Sequence, residues 1–88
     1  MQPNPPNDAL TIALQALAAA LEDQRLADRF LSLSGLDAPE LRRRAGEPRV
    51  LAAFLRFLEA HEPDLIAVSE KIGARPEQIV VVRRELER

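Results

Sequence analysis

Residues 35–41 read Gly-Leu-Asp-Ala-Pro-Glu-Leu, and residues 73–79 read Gly-Ala-Arg-Pro-Glu-Gln-Ile. The two stretches share a register, because 73 − 35 = 38 and 79 − 41 = 38. In each stretch a glycine is suited to ending one helix, and a proline three or four residues later is suited to the first turn of the next. The repeated phrase therefore predicts a chain of short helices joined by tight turns.

The spacing of apolar residues between these stops predicts six helices. Helix 1 has apolar residues on nearly every side, with four leucines on one face and four alanines beside them, which places it at the centre of the fold. Helices 1 and 4 are the expected core. In helix 2 the expected inward residues are Leu26, Phe30 and Leu33, and in helix 5 either Leu65 or Ile66 joins Val68 and Ile72. The predicted spans are 8–22, 24–34, 38–45, from 47 or 48 to 60 or 61, 62–72 and 76–87.

Helix 3 has a complete start signal. Asp37 is the predicted N-cap, Glu40 stands three positions later, and Leu36 and Leu41 form a hydrophobic staple across the cap. The only segment that also fits a strand is 79–82, Ile-Val-Val-Val, because β-branched residues favour sheets. The helical start and finish around it favour a helix.

The sequence thus predicts an all-α fold, a compact bundle of five to six short helices. Residues 1–7, rich in proline and asparagine, are the expected disordered leader, and 8–88 the single helical domain. The 38-residue offset makes the two halves candidate three-helix repeats. Helical hairpins of similar length give the same appearance without duplication.

Composition narrows the function classes. The 88 residues include no cysteine, one histidine and a net charge of −2, and neither a signal peptide nor a membrane span is recognisable. A cytoplasmic protein is expected. His61, among acids, is interpreted as a solvated residue at a helix end, and the glycines fit helix stops rather than a phosphate loop. No catalytic residue, metal or cofactor is predicted.

Two function hypotheses from different classes remain. In a helix-turn-helix DNA-binding protein, the alternative, Arg42, Arg43 and Arg44 would contact the nucleic acid. The acidic charge of the chain makes nucleic acid an unlikely partner.

The favoured hypothesis is a non-catalytic protein-interaction or regulatory module. Four successive apolar residues point to every side of helix 6, so one side is left over for an unknown protein partner or a homodimer, unless the helix is core throughout. The candidate interface residues are Val80, Val81, Val82, Arg83 and Arg84.

Several segments of the sequence also resemble those of a known protein family. Residues 29–37, Arg-Phe-Leu-Ser-Leu-Ser-Gly-Leu-Asp, and residues 51–58, Leu-Ala-Ala-Phe-Leu-Arg-Phe-Leu, stand among segments that resemble a family of short proteobacterial proteins, domain of unknown function 3572. The resemblance spans about residues 9 to 86. It implies an all-helical bacterial protein and brings no activity, cofactor or catalytic residue.

Overall fold

The computed structural model describes residues 7–88, and the described chain forms six helices. Residues 1–6 of the predicted leader lie outside the described residues, and the first helix begins at Asn7, the last residue assigned to that leader. The helices are α1 (Asn7–Leu21), α2 (Gln24–Ser34), α3 (Ala38–Arg44), α4 (Pro48–Glu59), α5 (Glu62–Ile72) and α6 (Pro76–Leu86).

The prediction of an all-α bundle is confirmed over residues 7–88. The ambiguous run 79–82 lies inside α6, so its β-branched residues are helical. Here the local signals around the run, with proline in the first turn of α6, outweigh β propensity, which depends on a neighbouring strand to pack against. The bundle measures 40 × 26 × 20 Å along its principal axes.

Helices α1 and α4 form the centre of the core, as predicted. Helix α6 packs against both of them, and α5 packs against α1, α4 and α6. The buried side of α1 is its alanine face, which lets the neighbouring backbones come close. The fully or nearly buried residues of these two helices are Ala13, Ala16, Leu17, Ala20, Val50, Leu51, Ala52, Phe54, Leu55 and Leu58.

The 38-residue offset holds at the level of helix boundaries. Adding 38 to the bounds of α2 gives the bounds of α5, and adding it to the start of α3 gives the start of α6. Gly35 and Gly73 end their helices in the left-handed conformation, with φ of 77° and 73°. The packing differs between the halves, because α6 lies against both central helices whereas α3 is not among the closely packed helix pairs.

Side-chain caps fix several helix starts. The Asp37 carboxylate accepts a hydrogen bond from the Glu40 N–H at 2.8 Å, which confirms the predicted N-cap of α3. Asp23 caps α2 in the same way, accepting from the N–H groups of Arg25 and Leu26. Arg75 at the N-cap of α6 makes no side-chain cap bond, and the Gln78 side chain accepts from its N–H at 3.4 Å.

Removing the cap of α3 and adding a cap to α6 should change the stability of the protein in opposite directions. Asp37→Ala removes a satisfied N–H at the start of α3 and should lower the free energy of unfolding by about 1 kcal/mol. Arg75→Asp supplies the missing acceptor and a favourable charge at the positive end of α6, so it should raise that free energy by about 1 kcal/mol. Thermal melts followed by circular dichroism measure both, and a destabilised Arg75→Asp variant would contradict the cap argument.

All three phenylalanines of the chain meet between α2 and α4. The Phe30 ring packs edge-on against Phe54, with centroids 5.2 Å apart and planes at 80°, and its centroid lies 5.3 Å from that of Phe57. The Arg29 guanidinium lies over the Phe57 ring at 5.2 Å. This aromatic cluster joins α2 to α4, while α1 is the helix against which α2 packs most closely.

The structure settles one open assignment and corrects another. In α5 the inward residue is Leu65, whereas Ile66 is 41% exposed. The expectation that Leu33 faces inward is wrong, because its side chain is 75% exposed. Leu33 stands in the last turn of α2, at the rim of a shallow depression shared with Phe57 and Ala60, and no neighbouring helix covers it.

Candidate functional site

The predicted interface on α6 divides between core and surface. Ile79 and Val82 are buried, with 0% and 5% exposure, and both belong to the main core. Val80 is half-buried, and Val81 is the outward valine at 53% exposure. Val82 is therefore part of the core and is not available to a partner. On the outer face of α6, the apolar surface that remains accessible is the Val81 side chain and the exposed part of Val80.

The two arginines that follow also divide. Arg84 is exposed, whereas Arg83 is half-buried. Its Nε and Nη2 each donate to a carboxylate oxygen of Glu59 at 2.9 Å, and its Nη1 donates to Glu87 at 3.1 Å. Arg56 of α4 binds the same Glu87 carboxylate. Arg83 thus fastens α6 to α4 through a two-pronged ion pair and is committed within the bundle.

This ion-pair cluster also changes proton affinities. The hydrogen bond from Arg56 lowers the pKa of Glu87 most, burial opposes that effect, and the bond from Arg83 adds to the lowering. The hydrogen bonds to Glu59 and Glu87 raise the pKa of Arg83, against the effect of burial. The lowered pKa of Glu87 and the raised pKa of Arg83 both favour the charged forms, so this pair contributes opposite charges to the junction of α4 and α6.

The arginine triplet of the alternative hypothesis lies on a very short helix. Arg42 and Arg43 are exposed, while Arg44 donates from Nε to Glu47 at 3.2 Å. With seven residues, α3 is only about 10 Å long. Its positive charge is also balanced nearby, since residues 37–47 contain three arginines and three acids: Asp37, Glu40, Arg42, Arg43, Arg44 and Glu47.

A groove that the sequence did not reveal runs between α1, α2 and α3. Its volume is about 430 Å³. Each of the three helices contributes residues spaced as one helical face, so the walls are continuous stripes. Its lining residues, which define the α1–α3 groove, are Leu14, Leu17, Ala18 and Leu21 of α1, Gln24, Ala27 and Leu31 of α2, and Ala38, Leu41, Arg42 and Ala45 in and after α3.

The groove has a buried floor and an open rim. Leu17, Ala27 and Leu41 are buried beneath it, with exposures of 4%, 8% and 3%. Leu14 and Leu21, one above the other on α1, form part of the rim and are 40% and 44% exposed. Two of the five exposed large apolar residues in the described chain thus stand together in one concave surface, which is unlike the scattered apolar residues of an ordinary surface.

A signal for this groove does exist in the sequence. Helix α1 is apolar on nearly all sides, and the same geometric reasoning that left a valine over on α6 applies to it. Once the alanine face of α1 packs against α4, α5 and α6, the leucines at 14 and 21 face the groove that α2 and the short α3 border. Spacing identifies the two leucines but cannot show that α3 is too small to cover them.

His61 participates in a polar contact rather than standing free. Its Nδ1 lies 2.8 Å from Asp64 Oδ2, and the same oxygen accepts a bond from Arg29 Nη1 at 2.9 Å. Burial tends to raise the pKa of Asp64, but the hydrogen bonds from His61 and Arg29 and the charge of Arg29 lower it below its usual value. Within residues 7–88 no group of three or more His, Cys, Asp or Glu side chains is placed to hold a metal ion.

The lowered pKa of Asp64 predicts acid sensitivity with a defined sign. A carboxylate with a depressed folded-state pKa stabilises the fold above its unfolded-state pKa of about 4, and that contribution is lost as the pH falls through the folded-state value. Asp64→Asn should therefore cost about 1 kcal/mol at pH 7 and flatten the fall in stability below pH about 4. Urea unfolding of both proteins between pH 2 and 7 measures this, and parallel pH profiles would contradict it.

Comparison with known proteins identifies one family that the chain matches. A family model described as "Protein of unknown function (DUF3572)" matches residues 6–88, which confirms the resemblance seen in the sequence. Neither the curated proteins nor the solved structures include a significant match. None of the helices in residues 7–88 is long and apolar enough to cross a membrane.

Proposed function

We propose that this chain, which belongs to the DUF3572 family of proteins of unknown function, is a non-catalytic protein-interaction module of the cytoplasm. It binds its partner through the α1–α3 groove. The observation that carries the proposal is the pair of rim leucines, Leu14 and Leu21, which stand 40% and 44% exposed over a buried apolar floor. Burying them against a partner would be favourable by about 1 kcal/mol or more for each leucine.

The chemistry elsewhere gives less support to the other function classes. The single histidine of the chain is engaged with Asp64, which is itself bound to Arg29, so this group resembles a structural ion pair more than a catalytic one. The helix-turn-helix alternative needs a recognition helix that presents base-reading side chains. Helix α3 is two turns long, and α6 presents Glu77 and Glu85 beside Val81, where DNA phosphates would be repelled.

The outer face of α6 is a second candidate surface for the same kind of function. Val81 lines a shallow depression between α1 and α6 together with Ile12. This face offers one exposed large apolar residue where the α1–α3 groove offers two. We therefore propose that the principal contact with a partner is in the α1–α3 groove and that the outer face of α6 is a secondary contact surface.

Affinity capture from the native cell tests the proposal. A Leu14→Gln, Leu21→Gln double variant should fold with a melting temperature close to that of the wild-type protein, because both side chains are already partly exposed. It should lose a partner that the wild-type protein retains, by tenfold or more in recovered amount. Ile66→Gln, at 41% exposure on α5, is the matched control and should retain the partner.

Two results would contradict the proposal. One is a partner retained equally by the double variant and the wild-type protein. The other is tight, sequence-selective binding of duplex DNA that is lost when Arg42, Arg43 and Arg44 are changed to alanine, which would favour the helix-turn-helix alternative.

A further inference from the structure

We propose that the α1–α3 groove receives an amphipathic α-helix of another protein, with an acidic residue beside its apolar stripe that pairs with Arg42. This inference rests on the proposed function and adds to it the chemistry of the partner. It follows from the shape of the groove, from the state of its one charged side chain, and from the apolar residues that a second copy of the chain could offer.

The shape fits the apolar face of a helix. Three helical walls surround an apolar floor, and a volume of about 430 Å³ corresponds to roughly a dozen liquid waters. An inserted helix presents apolar side chains at positions i, i+3, i+4 and i+7, which form one narrow stripe. The apolar side chains of that stripe would displace this water and bury the exposed parts of the two rim leucines, Leu14 and Leu21.

The charge of the groove selects an acidic partner. Arg42 is the one charged residue in its lining, and it makes no ion pair with any residue between 7 and 88. Arg44 and Arg83 are paired with Glu47 and Glu59, and the exposed Arg43 and Arg84 are unpaired within the described chain but lie outside the groove lining, so Arg42 is the one available positive charge in the groove. The polar Gln24 on the opposite wall is engaged with Asp28. A carboxylate arriving at Arg42 would thus gain a hydrogen-bonded ion pair without breaking one.

A second copy of the chain is poorly equipped to fill the groove. Filling it requires several exposed apolar residues on one helix. Outside the groove, each helix of the described chain offers at most one exposed large apolar side chain: Leu33 on α2, Ile66 on α5 and Val81 on α6. The two rim leucines of a second copy, Leu14 and Leu21, stand on α1, which already packs against α2, α4, α5 and α6 of that copy. We therefore take the partner helix to belong to a different protein.

A peptide selection tests the inference directly. The probe is a phage-displayed library of helical peptides with leucines fixed along one face and the flanking positions randomised. Peptides selected on the wild-type protein are then synthesised with either Glu or Lys at the flanking position, and their affinities are measured by fluorescence anisotropy. The wild-type protein should bind the Glu form about five-fold more tightly, as one partly exposed ion pair predicts.

Charge reversal provides the decisive comparison. Arg42→Glu should invert the preference towards the Lys form, whereas Arg43→Glu, an exposed neighbour outside the groove lining, should leave the preference for Glu unchanged. The Leu14→Gln, Leu21→Gln variant should lose binding of both forms. An unchanged preference in Arg42→Glu, or an equal inversion in Arg43→Glu, would overturn the inference.

The outcomes also separate this inference from the proposed function. If no helical peptide is selected but a cellular partner still depends on Leu14 and Leu21, the acidic helix is refuted and the interaction role stands. If oligomers form that the leucine variant abolishes, the occupant is a second copy and the inference is likewise refuted. If partner capture ignores both leucines, the proposed function itself fails.

Discussion

Phe54→Ala should lower the free energy of unfolding by about 3–5 kcal/mol, a large part of the stability of a domain of this size. Phe54 is 1% exposed, and its ring is packed against Phe30 and lies near Phe57. Removing it leaves a cavity at the junction of α2 and α4. Apart from Phe30 and Phe57, the chain has no aromatic residue that could fill the space. Urea unfolding followed by far-UV circular dichroism measures the loss.

Two variants keep this result interpretable. Phe54→Leu retains most of the volume and should cost about 1–1.5 kcal/mol, so it remains measurable even if the alanine variant is unfolded. Phe57→Ala removes a ring that is only partly buried and should cost less than Phe54→Ala. A loss below about 1 kcal/mol for Phe54→Ala would contradict the expected contribution of the aromatic cluster to the stability of the core.

Val82→Lys should destabilise the protein by more than about 3 kcal/mol, whereas Val81→Lys should change its stability by no more than about 0.5 kcal/mol. The two residues are adjacent in sequence and identical in type, but Val82 is 5% exposed and Val81 is 53% exposed. A buried ammonium group must lose either its hydration or its charge, and both are costly. Thermal melts of the two variants compare them directly, and similar melting temperatures would mean that α6 packs in a different rotation.

The stable variant also tests the outer face of α6. If that face contributes to an interface, Val81→Lys reduces self-association in analytical ultracentrifugation or capture of a protein partner. Unchanged behaviour in both assays would contradict the α6 hypothesis and leave the α1–α3 groove as the candidate surface.

The fold was largely predictable because the residues that begin and end its helices act locally. Gly35 and Gly73 adopt a backbone conformation that other residues avoid, and Asp37 bonds to a backbone N–H three residues away. Such signals act within one turn of helix, so they need no knowledge of the neighbouring helices. The predicted bounds of α2 and α5 agree with the structure without error, and those of the other helices differ by small shifts.

The candidate site was less predictable because it depends on what neighbours cover. Leu14 and Leu17 look alike in the sequence, yet one is at the rim of the groove and the other in its floor. Arg83 and Arg84 likewise look alike, and the ion pairs of Arg83 with Glu59 of α4 and with Glu87 distinguish them. Burial and ion pairing between helices arise from the packing of whole elements, which spacing along one helix does not encode.

Helix α3 has one further consequence for the motions of the molecule. It is seven residues long, and Leu41 is its single buried residue, so little free energy holds it to the bundle. Amide hydrogens in α3 should therefore exchange with solvent through a local opening that leaves α1, α4 and α6 intact. If α3 opens in this way, the α1–α3 groove has one wall that moves, and its width would change as α3 detaches while α1, α4 and α6 stay folded.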